Sequence, residues 1–290
     1  MFVNKATEMI HICESENISI AEYTIREEME ESRTTREELI EKMRKNLQVM
    51  INAAKEAMDK EVFSISGLIG GDAVKIRKYY ENNETLCGDF IVKAMARALS
   101  CSEVNAAMGK IVAAPTAGSC GIIPAAIITA AEKLKKTEEE MIMALFTASG
   151  VGILIAKNAT LAGAEGGCQA ECGSAAAMAS AAVVEMMGGT PAMAFDAGAI
   201  VIKNIEGLVC DPIAGLVEIP CAKRNVAGAV SALTTADIAM AGVKSKIPFD
   251  DTIISMYKIG RALPSELRET AMGGLATTPA GLRLKDKILK

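Results

Sequence analysis

Three thiols sit where the chain has to turn. Cys168 lies in Glu165-Gly-Gly-Cys168-Gln-Ala-Glu171-Cys172-Gly173-Ser174, a glycine-rich turn that opens an alanine-rich run. Cys210-Asp211-Pro212 and Pro220-Cys221 place two more thiols beside prolines. Thiolates are soft ligands, suited to zinc, copper(I) or iron–sulfur clusters. Four of them would close a structural site, whereas three would leave one metal position open to a substrate. We read the open site, a cluster acting as a Lewis acid. Cys172 stands one helical turn from Cys168, so on a helix the two share a face and Cys172 can be a fourth ligand. A free cysteine is also an ordinary small core residue, the reading preferred for Cys13, Cys87, Cys101 and Cys120. Spacing alone leaves cluster, zinc and buried thiols all open.

Two further turns carry donors. Ser64-Ile-Ser66-Gly67-Leu-Ile-Gly70-Gly71-Asp72 can bring backbone N–H groups to an anion. Taken alone, it reads equally as an interhelix turn. Ala113-Ala-Pro115-Thr116-Ala117-Gly118-Ser119-Cys120-Gly121-Ile-Ile-Pro124 sets hydroxyls between prolines inside an apolar stretch. Such donors at a helix start suit a carboxylate or phosphate, and a helix break satisfied by its own side chains is the even alternative. His11, the one histidine in the sequence, lies beside Cys13 in a charged segment and is not assigned the reaction.

These residues must be positioned by a chain of 290 residues, long enough for one large domain or two small ones. Half of it is apolar but only 3% is aromatic, so the core is built from Ala, Val, Ile, Leu and 17 Met. A net charge of -5, with no basic patch interleaved with aromatics, argues against nucleic acid. Eight cysteines are too sparse for a disulfide scaffold, and Met1-Phe-Val-Asn-Lys5 does not begin a secretory signal. A reducing cytoplasm fits. Met141–Ala156 is shorter than the roughly 20 residues of a spanning helix, and prolines break Ile111–Ala131, so no membrane span is expected.

Helical periodicity dominates. Residues 1–33 form an N-terminal arm in which Ser19 and Glu22 make a capping box for a helix over Ile20–Glu31. Thr35 and Glu38 cap a second helix, with Leu39, Met43, Leu47, Met50, Ala54 and Ala57 on one face. Ser100 with Glu103, and Thr137 with Glu140, cap two more, ending near Lys110 and Ala156. Ser174–Val184 is small and uncharged throughout, so it reads as a buried central helix. Helices follow over Asp196–Gly207, Asn225–Gly242 and Pro248–Leu263, then a glycine-rich tail with a basic end. No stretch alternates in the manner of a strand. The expected fold is all-α, a single large helical domain over 34–290 behind the arm. There is no repeat, P-loop or G-x-G-x-x-G.

Pro115–Pro124, Glu165–Glu171, Cys210-Asp-Pro-Ile-Ala-Gly-Leu-Val-Glu-Ile-Pro-Cys221 and Leu267-Arg-Glu-Thr270…Gly273-Gly-Leu-Ala-Thr-Thr-Pro279 together resemble the alpha chain of bacterial iron–sulfur-dependent L-serine dehydratase, nearly end to end. The resemblance implies an all-helical catalytic domain in which Cys168, Cys210 and Cys221 hold a 4Fe-4S cluster. Its fourth iron would meet L-serine and polarise the leaving hydroxyl. The products would be pyruvate and ammonia, placing the protein in amino-acid degradation and gluconeogenesis. Ser66, Gly67, Thr116, Ala117, Gly118 and Ser119 resemble the family's substrate-side loops, and contact of Cys172 or Cys120 with the cluster stays open. Two-chain members carry a proton-handling Ser-Ser-His-Thr motif on a separate beta chain, and nothing like it occurs here. Single-chain relatives end in a cysteine, whereas this sequence ends in Leu289-Lys290. Both differences imply one half of an enzyme whose base lies on a partner. A related L-cysteine desulfidase, and a non-catalytic zinc- or cluster-bearing structural protein, are the competing readings. No segment resembles the lysine motif of a pyridoxal phosphate dehydratase, so no pyridoxal phosphate is expected.

Overall fold

Caps decide where most of the helices begin, and several of the caps come from elsewhere in the chain. The computed structural model describes residues 2–288, so Met1 and the terminal Leu289-Lys290 lie outside the described residues. Helix α1 (Ala6–Glu16) starts where the Asp250 carboxylate accepts from the amides of Ala6 and Thr7. The Ser19 hydroxyl caps α2 (Ile20–Ser32) by accepting from Glu22 N. Glu22 does not close the expected box, because its carboxylate pairs with Arg26 and Arg36. Thr35 and Glu38 do form a complete box on α3 (Arg36–Asp59), which buries Leu39, Leu47, Met50, Ala54 and Ala57 along one face, with Met43 half-buried.

Two helices follow, α4 (Asp72–Asn82) and α5 (Gly88–Ala106). Ser100 and Glu103 are not a cap of their own segment; both lie inside α5 and face its neighbours. Ser100 Oγ donates to Ala53 O at 2.6 Å and accepts from Ala57 N at 2.9 Å, inserting a hydroxyl between two groups that α3 would otherwise join. Glu103 Oε1 accepts from Asp72 N at 2.6 Å and so starts α4.

Helix α6 (Ile122–Leu134) leads to α7 (Glu138–Asn158), which carries the complete Thr137–Glu140 box. After the short α8 (Gly163–Gly166), α9 (Ser174–Met186) buries every residue except Glu185 and is surrounded by α6, α7, α10 (Pro191–Ile205) and α11 (Cys221–Met240). A helix of Ala, Ser and Val lets four neighbours approach, and the expected central helix is this one. Helix α10 begins at Pro191, after the Thr190 cap, rather than at Asp196. Helix α11 begins at Cys221 itself rather than at Asn225. Pro248 precedes α12 (Phe249–Ala262), and the tail contains α13 (Pro279–Ile288), which glycine content had masked.

The thirteen helices among the described residues form an all-α body, with only isolated bridges at Phe63–Gly70 and Cys210–Arg268. Phe2, Met9, Ile20 and Ile25 lie in the main core, with α1 against α10 and α12 and α2 against α7. Ala117–Leu134 and Glu138–Asn158 are long and apolar enough to cross a membrane by composition, and both are largely buried within this body.

Candidate functional site

The first thiol is aimed by a turn only glycine can make. Gly167 has φ 75°, and an added Cβ would stand 2.8 Å from the Leu208 carbonyl oxygen. Cys168 follows, then one π-helical turn over Gln169–Gly173, a geometry that recurs at functional sites. The turn brings the Cys168 and Cys172 sulfurs within 3.4 Å. Buried Gln169 pins it: Nε2 donates to Gly166 O at 2.9 Å and to Met256 O at 3.0 Å, and Oε1 accepts from Gly207 N at 2.9 Å.

The second thiol is held by the tail. Cys210 N donates to Leu267 O at 2.8 Å, and Cys210 O accepts from Glu269 N at 2.7 Å. Asp211 Oδ2 accepts from Leu275 N at 2.8 Å, in the Gly273–Pro279 stretch. The third, Cys221, opens α11, where the exposed amides of a helix start favour a thiolate. Cys168 is near enough to influence the thiols of both Cys210 and Cys221, and its sulfur lies 3.4 Å from that of Cys172. Cys120 is elsewhere, its thiol on Cys101 O at 3.8 Å in a second core cluster. Cys13 and Cys101 are buried as expected, but Cys87 is exposed at the start of α5 and packs in no core.

The hydrogen bond with Cys172 and the nearby Arg224 guanidinium hold Cys168 below an ordinary thiol despite its burial. The same bond, with burial, drives Cys172 well up. Burial and the neighbouring Cys168 raise Cys210, and they push Cys221 up to about 12. Each thiolate thus opposes the next, and a bound cationic centre would relieve that repulsion. No three His, Cys, Asp or Glu side chains among the described residues converge on a single ion. An iron–sulfur cluster takes its cysteines on separate irons, so this buried, all-sulfur set fits a cluster.

Both donor turns meet the cysteine segments. Thr116 Oγ1 donates to Glu171 Oε1 at 2.7 Å, across from the Cys168 turn. Gly118 faces the same carboxylate, and a Cβ there would stand 3.0 Å from Glu171 Oε1. Burial raises Glu171, and its bond from Thr116 opposes the shift. Ser66 Oγ donates to Glu218 Oε2 at 2.6 Å, in the loop between Cys210 and Cys221. Ser119 is fully buried, its hydroxyl 3.2 Å from that of Thr116, whereas Gly67 and Ala117 are exposed. Ser66 and Ala117 line a cavity of about 670 Å³ with Asn105, Met108, Glu218 and Lys287, and none of the cysteines lines it. His11 is exposed on α1.

Sequence reasoning missed Glu218, Arg224 and Asn225. Glu218 lay inside a motif already singled out. Arg224 and Asn225 sat in the first turn of a helix whose start was placed at Asn225.

This is an all-helical body built around a buried thiol site flanked by hydroxyl-bearing turns. The profile of the serine dehydratase alpha chain family matches residues 15–276, and the chain belongs to that family. It is 50% identical over 288 residues to the "Probable L-serine dehydratase, alpha chain" of Bacillus subtilis (strain 168), covering 99% of this chain and 95% of the other. It is 46% identical over 288 residues to the L-serine dehydratase alpha chain of Peptoniphilus asaccharolyticus, covering 99% of each. L-serine dehydratase TdcG of Escherichia coli (strain K12) is 34% identical over 284 residues, which are 94% of this chain and 61% of that one.

Proposed function

We propose that this chain is the alpha subunit of a cytoplasmic, iron–sulfur-dependent L-serine dehydratase that works with a separate beta chain. The observation that carries the reading is the burial of Cys168, Cys210 and Cys221, each acting electrostatically on another, beside the Thr116 and Ser66 turns that bond to their segments. These three cysteines would hold a 4Fe-4S cluster, which supplies Lewis-acid assistance to departure of the substrate hydroxyl.

The remaining work falls to the chain's own groups. The Ser66–Gly67 and Thr116–Gly118 turns bind and orient the L-serine carboxylate through hydroxyl and amide donors. Thr116 and Ser66 now donate to Glu171 and Glu218, so binding exchanges a protein carboxylate for the substrate's at each hydroxyl. Ser119, buried behind Thr116, keeps that turn in shape. The buried walls exclude water from the reacting end. The α-proton goes to a base on the partner, and the released enamine hydrolyses to pyruvate and ammonia.

The test is anaerobic reconstitution with iron and sulfide, addition of the beta chain, and assay of pyruvate from L-serine and from L-cysteine. Air-sensitive brown absorbance with serine turnover is expected. Turnover of cysteine alone would make the chain a desulfidase, and colourless zinc binding without turnover would make it structural.

A further inference from the structure

Two consecutive side chains near the start of α11 reach the Cys210 segment and the Thr116–Gly121 turn. Arg224 spreads its guanidinium over two acceptors, NH1 donating to Val209 O and NH2 to Asp211 Oδ1, both at 2.8 Å. Those acceptors flank Cys210 on either side. The same guanidinium is near enough to the Cys168 thiol for its charge to favour the thiolate. Asp211 passes the restraint on, since its second oxygen accepts from Leu275 N in the tail. One planar side chain therefore connects the Cys168 turn, the Cys210 segment and the helix that begins at Cys221. A fork of this kind fixes direction as well as distance, which an ammonium group does not.

Asn225 points the other way and is buried. Its Nδ2 donates to Gly118 O at 2.7 Å and to Cys221 O at 2.9 Å, and its Oδ1 accepts from Gly121 N at 2.8 Å. Two of these bonds join the Thr116–Gly121 turn to α11, and the third ties the side chain back to Cys221 within the helix. Gly121 allows this approach: a Cβ there would stand 2.6 Å from Ala98 O and 3.1 Å from Asn225 Oδ1.

We propose that Arg224 and Asn225 are the positioning residues of the site: Arg224 sets the three cysteines relative to one another, and Asn225 sets the carboxylate-binding turn relative to Cys221. The division of labour rests on the dehydratase reading, but the geometry of the cysteines does not depend on which substrate is used. The two side chains bond to different segments, so their losses separate. Loss of Arg224 loosens the thiols and spares the turn. Loss of Asn225 shifts the turn and spares the thiols.

The experiment compares Arg224→Gln, Arg224→Lys, Asn225→Ala and Asn225→Ser with wild type, each shown to be folded by circular dichroism. Three quantities are read: alkylation rates of Cys168, Cys210 and Cys221 in the cluster-free chain by mass spectrometry, iron and sulfide bound after anaerobic reconstitution, and KM and kcat for L-serine with the beta chain present. Arg224→Gln is expected to speed alkylation of Cys210, whose flanking Val209 and Asp211 acceptors lose their donor, by roughly tenfold, the scale set by losing a charged hydrogen bond, and to lower iron content severalfold. Arg224→Lys recovers part of the loading. Asn225→Ala and Asn225→Ser keep the iron and raise KM by roughly tenfold, with kcat changed much less. Wild-type alkylation and loading in Arg224→Gln would overturn the first assignment, and an unchanged KM in both Asn225 variants would overturn the second. Absence of serine turnover in wild type would defeat the dehydratase reading alone, because alkylation and loading still report on Arg224.

Discussion

Cys221 and Cys87 are the same residue in opposite surroundings, and the contrast tests the site at its smallest scale. Cys221 is buried among other thiols at a helix start, whereas Cys87 is exposed. Replacing Cys168, Cys210 or Cys221 by Ser should each remove most of the bound iron and the activity, and Cys87→Ser should leave both. Iron analysis after anaerobic reconstitution decides it, and full iron in Cys221→Ser would remove that residue from the set. The neighbouring hydroxyls separate in the same way. Thr116 is partly exposed, while Ser119 is sealed behind it. Thr116→Val should raise KM for L-serine by roughly tenfold or more, the cost of one hydrogen bond to a charged group, with iron content unchanged. Ser119→Ala should act more weakly, through the shape of the turn. Equal KM values for wild type and Thr116→Val would refute the binding role. The residue types of this site were legible because Gly and Pro punctuate them. The partners of those residues were not, because Thr116 meets Glu171 and Ser66 meets Glu218 across 55 and 152 residues of chain.

Helices show where local signals succeed and where they fail. The Thr35–Glu38 and Thr137–Glu140 boxes formed because donor and acceptor lie within one turn. The starts of α1 and α4 are instead satisfied by Asp250 and Glu103, and Glu185 joins the local Ser19 cap at the start of α2, each of these acids far away along the chain. No local pattern announces such a cap, and Ser100 with Glu103 mimicked a local one by spacing alone. Glu103 also makes the arrangement testable. It is buried, its Oε2 has no partner, and burial pushes its carboxyl from the ordinary 4.5 up to about 7 against the pull of the Asp72 and Ala73 amides. Asp72 adds to the rise and Lys223 opposes it. The folded chain thus holds this proton more tightly than the unfolded chain does. Its contribution to stability is complete below about 4.5 and is lost as pH rises through about 7. Glu103→Gln, neutral at every pH and still able to accept from Asp72 N, should gain on wild type across that window by up to about 3 kcal/mol. Urea unfolding of both chains from pH 5 to pH 8 measures the difference, and parallel curves would show that Glu103 is ionised without cost.

Among the described residues, neither a histidine nor an unpartnered carboxylate lines the cavity. Removing the α-proton of serine needs a base within hydrogen-bond reach of the carbon. The one histidine, His11, is exposed on α1, and α1 packs on α10 and α12, away from the cavity-lining segments. The two buried carboxylates near the turns already accept hydrogen bonds, Glu171 from Thr116 and Glu218 from Ser66. Glu165 is exposed. The cavity of about 670 Å³ is far roomier than one amino acid requires, and its lining includes Ile65 and Met108, which are 77% and 83% exposed. Large apolar side chains held in water at the rim of a cavity are what a second chain would cover. The open rim was not legible in the sequence, because it depends on how α5 and the Ser64–Asp72 turn meet. The cluster-loaded chain alone should therefore turn over L-serine negligibly, and stoichiometric beta chain should restore activity. Anaerobic pyruvate assays with and without that partner measure this directly. Full turnover by the isolated chain would place the base within it, and Glu171, Glu165 and His11 would become the residues to replace.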